Sequence, residues 1–246
     1  MKKSLYTITI LLFAVVSAKA QFTTQGYIEF ERKVNIHRQF DDMQQGPWIE
    51  RMKAQIPKFT SSFFDYYFTA TKTIYKPGKE TENPLKMFGG GTPASKNVVL
   101  TNFLSDSVIA EKQVFEQAFL LQMPIRKMKW KLDAAVRTIA GYTCRKAVGI
   151  ICDSVYVVAF YTEDIATTGG PEMFAGLPGM ILEIAVPRLY TTWVATKVQL
   201  TTPKETDFVK PQKGKKVSPQ ELEKTIFSSM KDWGNFASRN VWWVSI

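Results

Sequence analysis

Apolar and polar residues alternate with a period of two along much of this chain. The sharpest case is Lys127-Met128-Lys129-Trp130-Lys131-Leu132, where three lysines share one side and Met128, Trp130 and Leu132 share the other. Residues 27–34 set Ile28, Phe30 and Val34 against Glu29, Glu31 and Lys33. Residues 180–186 gather Met180, Leu182, Ile184 and Val186 on one face and leave Glu183 on the opposite one. Residues 192–200 gather Val194, Val198 and Leu200. Successive strand side chains point to opposite faces, so the pattern predicts strands with one buried and one wetted face, as in an antiparallel sheet. Two further runs, 142–151 and 155–161, read as a hairpin turning at Cys152-Asp153-Ser154.

A helical period shows in two places. Ser218-Pro219-Gln220-Glu221 has the form of a capping box with proline at the first helical position. Leu222, Ile226 and Met230 follow as one apolar stripe, and Gly234 suits the stop. A second helix is predicted after Gly46-Pro47, with Trp48, Met52 and Ile56 as its stripe and Pro57 as its end. The stretch 77–96 is loop-like, carrying Pro84, Gly89-Gly90-Gly91 and Pro93. Its glycines lack the Gly-Lys-Ser/Thr that a phosphate loop needs. Together these elements predict a mostly β fold, a single antiparallel and strongly curved sheet with one or two packed helices. The curvature is assigned by analogy with lipoprotein carriers, and a β-sandwich is the alternative.

The amino-terminal segment breaks the alternation. Lys2 and Lys3 precede the apolar run Ile8-Thr9-Ile10-Leu11-Leu12-Phe13-Ala14-Val15-Val16, and Ala18-Lys19-Ala20 fits a small-x-small cleavage site. The run is shorter than the roughly 20 residues that span a bilayer. Residues 1–20 are therefore expected to be a signal peptide, and 21–246 a single β-rich domain. No cysteine follows the run, so the expected location is the periplasm or the outer-membrane surface without a lipid anchor and without a transmembrane span.

The formal net charge is +10, and cleavage would remove three of the lysines. The remaining excess favours solubility and weak attraction to anionic surfaces. The one lysine cluster, Lys210, Lys213, Lys215 and Lys216, lies in a connector marked by Pro203, Pro211 and Pro219. That is a solvated loop rather than the aromatic-laced stripe of a nucleic-acid binder, so nucleic acid is not an expected partner.

Candidate chemistry is sparse. His37 is the single histidine, and it stands beside Arg38 without a serine or cysteine arrangement. No His/Cys cluster offers a zinc or copper site, so no metal, cofactor or catalytic residue is assigned. The acidic pairs Asp41-Asp42 and Glu163-Asp164 are sequence neighbours, which on a strand diverge rather than converge. Cys144 and Cys152 stand eight residues apart, ~26 Å along a strand. A bridge needs Cα atoms within about 7 Å. The predicted hairpin therefore keeps both thiols free, whereas a turn moved to Gly149 would let them join.

The stretch Gly170-Pro171-Glu172-Met173-Phe174-Ala175-Gly176-Leu177-Pro178-Gly179-Met180-Ile181-Leu182-Glu183 joins a glycine- and proline-rich turn to an apolar strand. It is preceded by Trp130-Lys131-Leu132, by Ile139-Ala140-Gly141-Tyr142-Thr143-Cys144-Arg145-Lys146-Ala147 and by Phe160-Tyr161-Thr162-Glu163-Asp164-Ile165. In order and spacing these four blocks resemble the core of the GLPGLI family of bacterial envelope proteins over residues 130–183. The resemblance is looser over 27–121 and absent after Leu200. Met180 replaces the leucine of the name motif, and Phe160 and Ala166 stand where tryptophan and proline are usual. The resemblance implies an exported β-rich protein and brings no catalytic residues with it.

The motif has a physical reading of its own. Pro171 and Pro178 fix φ near −65°, while Gly176 and Gly179 allow positive φ or close backbone approach. Phe174 and Leu177 are apolar residues inside a turn, so the loop should fold back onto the sheet. Gly170, Pro171, Phe174, Gly176, Leu177, Pro178, Gly179 and Trp130 are thus the candidate site, either as a buried rigid corner or as the lining of a groove. The expected function is that of a non-enzymatic envelope binding or accessory protein, holding an apolar, lipid-like ligand or docking on an outer-membrane protein. An envelope hydrolase with an unidentified site and a purely structural or assembly protein are the alternatives.

Overall fold

The structure is a computed structural model describing residues 23–41, 46–81, 93–114, 117–231 and 235–246. The expected signal peptide, Asp42, Pro84, Gly89-Gly90-Gly91 and Gly234 lie outside the described residues. The chain runs through β1 (Gly26–Asn35), α1 (Ile36–Asp41), α2 (Pro47–Gln55), β2 (Phe59–Phe68), β3 (Lys72–Pro77), β4 (Val98–Asn102), β5 (Ser107–Val114) and β6 (Gln117–Pro124). It continues through β7 (Lys131–Ile139), β8 (Tyr142–Ile151), β9 (Val155–Thr162), β10 (Met180–Val186), β11 (Thr191–Gln199), β12 (Lys215–Lys216), α3 (Pro219–Ser229) and α4 (Asn235–Ser245).

All twelve described strands join one sheet in the order β12-β6-β5-β4-β3-β2-β1-β11-β10-β9-β8-β7. It is two antiparallel meanders fused along the β1–β11 pair. The short β12, pairing parallel with β6, is the exception. Residues 200–214 carry the chain from β11 to β12 as a strap. Lys72 pairs with Glu205 at 2.6 Å, Lys76 donates to the Asp207 carbonyl at 3.2 Å, and Phe208 is buried beneath Lys72.

The hairpin and its turn are as the sequence predicts. Ile151 pairs with Val155, and Cys152 and Asp153 take left-handed conformations with φ of 47° and 58°. Cys144 is buried in β8, Cys152 lies at the tip, and both thiols are free. The capping box also forms, with Ser218 accepting from the Glu221 amide, and Leu222, Ile226 and Met230 are buried. That helix stops at Ser229, before the expected Gly234.

Other expectations are corrected. Lys127 to Trp130 do not belong to a strand: residues 125–130 are an unpaired link, and β7 begins at Lys131. The lysines do face water, and Met128 and Trp130 do turn inward, but Leu132 is exposed. The two inward side chains lie over Gly149 of β8, where a Cβ would stand 2.8 Å from Met128 and 3.0 Å from Trp130. The buried face of β11 is Thr191, Trp193 and Ala195, not Val194 with Val198 and Leu200. A register shift between Glu29 and Phe30 against β11 breaks the simple alternation, leaving Val194 and Val198 partly buried and Leu200 exposed. Strand β10 is buried on both faces rather than wetted on one, and Glu183, on the face opposite Met180 and Leu182, is ion-paired to Arg137 at 2.6 Å. In α2 the buried stripe is Ile49, Met52 and Ile56, while Trp48 points to solvent. There are four α-helices among the described residues rather than one or two, because α1 and α4 were not predicted.

Candidate functional site

The motif corner is a sealed structure. Gly170, Pro171, Phe174, Leu177 and Gly179 are buried, whereas Gly176 and Pro178 reach the surface. Main-chain bonds sew it to the preceding segment, with the Gly176 amide donating to the Thr168 carbonyl at 3.1 Å and the Met180 amide to the Ile165 carbonyl at 3.0 Å. Trp130, half-buried, donates its indole N–H to the Ala175 carbonyl at 3.0 Å. Gly179 has φ of 145°, and a Cβ there would overlap the Thr162 carbonyl oxygen. No side chain fits that place without moving the neighbouring strand.

Glu172, inside the same corner, is a residue that the sequence does not single out. Its backbone is left-handed, φ 55°, which is strained for a residue with a Cβ. The turn drives its carboxylate into the core, where it meets Lys112 at 2.9 Å and the Asn97 amide at 2.9 Å. The two charged side chains are 1% and 0% exposed. Lys112 also donates to the main-chain oxygen of Ile246 at 2.5 Å. Burial holds the Lys112 ammonium below its usual pKa, with Glu172 opposing that shift.

Arg32 lies in the same interior, fully buried, donating to the Pro93 carbonyl at 2.7 Å between the rings of Phe64 and Trp243. Burial lowers its pKa, and Tyr75 and Glu172 resist the shift. Tyr75 accepts from the Trp193 indole at 3.1 Å, and burial pushes its hydroxyl well above the ordinary value. A signal existed for Arg32: it has the parity of Ile28, Phe30 and Val34 in β1. Lys112 likewise shares parity with the buried Val108 and Ala110 of β5. Nothing in the sequence around Glu172 marks it as buried.

A second polar constellation is open. Between link 125–130, the β8–β9 turn, α3 at Glu223 and the end of α4 lies a cleft of about 570 Å³. Arg126, Lys127 and Lys129 line one wall, Ile150 and Cys152 another, and Glu223 a third. Arg126 gives its Nη2 to the Ser245 carbonyl, while its Nη1 has no partner among the described residues. Burial lowers the guanidinium pKa, with Cys152 and Glu223 nearby opposing the shift. Burial raises the pKa of the Cys152 thiol, against the pull of a hydrogen bond with Ser245 and of Arg126. Lys127 and Lys129 were predicted as a wet strand face, and this cleft is where the structure puts them.

The remaining candidates are structural. His37 Nε2 lies 3.1 Å from the Ile56 carbonyl. Asp41 pairs with Lys53, and Glu163 pairs with Arg145 at 3.1 Å on the surface. Among the described residues, no group of three or more His, Cys, Asp and Glu could hold a metal, and no helix is long and apolar enough to cross a membrane.

Comparison with known proteins adds the following. Residues 148–183 match the family model described as "Protein of unknown function (Porph_ging)", a segment running from the end of β8 through β9 and the motif corner into β10. A comparison with curated proteins finds no match. Two crystal structures of PNGF-II, in space groups C2 and P21, share the fold with TM-scores of 0.52 and 0.53 at 16% and 15% identity. They cover 83% and 84% of this chain but 33% and 34% of their own, so the chain spans about a third of PNGF-II. An uncharacterized conserved protein from Thermus thermophilus aligns over 85% of this chain and 99% of its own, at 9% identity and a TM-score of 0.39. At such identities the PNGF-II likeness is one of fold alone.

Proposed function

We propose that this chain is an exported, non-enzymatic binding protein of the cell envelope, of the GLPGLI type, which takes a small ligand in the cleft beside the β8–β9 turn. The cleft carries the reading: its volume falls within the range of small-molecule sites, and charged and apolar side chains share its walls. The amino-terminal lysines, apolar run and Ala18-Lys19-Ala20 support export.

A strongly curved sheet belongs to the same reading. Strands β6 and β7 stand ten places apart in the sheet order, ~48 Å if it were flat. Link 125–130 joins them and can reach at most ~24 Å. Arg137 on the edge strand β7 also reaches Glu183 on β10, three strands away. Both fit a sheet that rolls inward, with α3 buried only along its Leu222 and Ile226 stripe.

The most deeply buried ion pair, Lys112 and Glu172, is shut away from any substrate, which weighs against a hydrolase working there. A purely structural or assembly role is favoured by one observation, the complete burial of the motif corner's apolar residues. Docking on an outer-membrane protein is the other form that the binding role would take.

Native mass spectrometry of protein recovered from the envelope fraction tests the proposal. The expected species starts at Gln21 and carries an added mass that denaturation removes. A mature chain with no bound mass, and no response to added amphiphiles, leaves the structural role standing instead. Recovery of intact Met1 would sink the export claim.

A further inference from the structure

We infer that the ligand of this cleft is an amphiphile with an anionic head, a carboxylate or a phosphate, held by Arg126 with its apolar body against Met128 and Ile150. The inference rests on the binding reading above and adds the ligand's chemical class.

Charge is the first argument. Arg126, Lys127 and Lys129 face Asp153 and Glu223 around the cleft, an excess of one positive charge. Glu223 is partly engaged already, accepting from the Ser245 hydroxyl at 3.3 Å. A negative head therefore complements the site.

Pairing is the second. A guanidinium withdrawn from water is expensive to leave with donors unused. Arg126 spends Nη2 on the Ser245 carbonyl and keeps Nη1 unpaired among the described residues. Arg137, by contrast, uses Nη1 on both oxygens of Glu183, at 2.8 and 2.6 Å. Nη1 is itself closed to solvent in this structure, so the guanidinium must turn toward the cleft for an anion there to give Arg126 the partner that Arg137 finds within the chain.

Shape is the third. Met128 turns inward over Gly149, and Ile150 is about half exposed on the adjoining strand. Both residues line the cleft, an apolar component that a free inorganic anion would leave unused and a short acyl or alkyl chain would cover.

Cys152 provides the measurement. It is the exposed thiol of the two and stands in the cleft wall, whereas Cys144 is fully buried. The rate of N-ethylmaleimide labelling at Cys152 in the full chain therefore reports occupancy. Octanoate and octyl phosphate are expected to slow it, with 1-octanol and inorganic phosphate far weaker. Arg126→Gln should raise the concentration needed by at least roughly tenfold, the size of one lost charge-assisted hydrogen bond, and Arg126→Lys should restore part of it. Octanol protecting as well as octanoate, with Arg126→Gln unchanged, would overturn the anionic head while the binding cleft survives. Inorganic phosphate protecting as well as octyl phosphate would overturn the apolar body. Protection by none of the four would overturn the cleft as a ligand site altogether. If Arg126→Gln fails to fold, octanoate against octanol on the parent chain decides the question by itself.

Discussion

The interior around Glu172 and the cleft around Arg126 are built from the same kinds of group, and they differ in access to water. Inside, Lys112 finds Glu172, Asn97 supports the carboxylate, and both charged side chains are sealed from solvent. At the cleft, Arg126 lines an opening that a ligand can enter, and its Nη1 is buried without a partner among the described residues. A buried charge is costly unless the chain answers it, and even inside, Glu172 Oε1 and Arg32 Nε and Nη2 have no partner among the described residues, whereas a charge at an opening can be answered by something that comes and goes. The first arrangement therefore holds the fold together, and the second is suited to recognition.

The largest expected effect comes from breaking the sealed pair. Glu172→Ala leaves Lys112 buried without its counter-charge and should destabilise the fold by about 3–5 kcal/mol in a urea melt. Removing Glu172 also removes the influence that raises the Lys112 pKa, so the folded-state value falls further below the unfolded one. The folded variant then binds fewer protons than the unfolded chain, and its stability should rise with pH up to about 10.4. A loss under about 1 kcal/mol, or stability falling over that range, would show that water reaches the pair and that the two regions do not differ as described.

Next comes the corner that aims Glu172. Gly179→Val must displace the Thr162 carbonyl, which the new Cβ would overlap, and hold a β-branched residue at φ 145°. A loss of about 2–3 kcal/mol is expected. A variant that melts with the parent would mean that the corner yields easily and cannot be what fixes Glu172.

These two residues also show what the sequence could reveal. Gly179 was legible because glycine next to proline in a turn has few structural uses. The hairpin and the capping box were legible for the same reason: each is specified by residues adjacent in the chain. The β11 face was not, because the register shift against β1 is set by the partner strand, and simple parity fails across it. The link at 127–130 alternates like a strand since it lies between a packed face and water, and alternation reports burial rather than pairing. Glu172 and Arg126 were invisible as sites, because each acquires its meaning from residues far away in sequence: Lys112 and Asn97 for one, Ser245 for the other.

A smaller effect tests the tie between the two regions. Trp130 belongs to the link that forms one cleft wall, and its indole reaches the Ala175 carbonyl in the corner. Trp130→Phe keeps most of the ring and loses the hydrogen bond, so about 1 kcal/mol of stability should go. Cys152 labelling should quicken alongside if the link loosens. A stability loss with unchanged labelling would show that corner and cleft are mechanically independent.

The smallest effect is the sharpest discriminator. Lys129 is exposed on the cleft rim and has no ion-pair partner among the salt bridges of the described residues. Lys129→Ala should shift stability by no more than about 0.5 kcal/mol, since an exposed side chain without a partner holds little together. Its charge still acts on an anion in the cleft, so octanoate protection of Cys152 should weaken modestly at low salt. That difference should shrink as ionic strength approaches about 0.15 M, where the screening length is about 8 Å. A substitution that changes binding and not stability is what the open region allows and the sealed region forbids. If Lys129→Ala instead melts early and binds normally, the rim is part of the fold's support and the division between the two regions has been drawn in the wrong place.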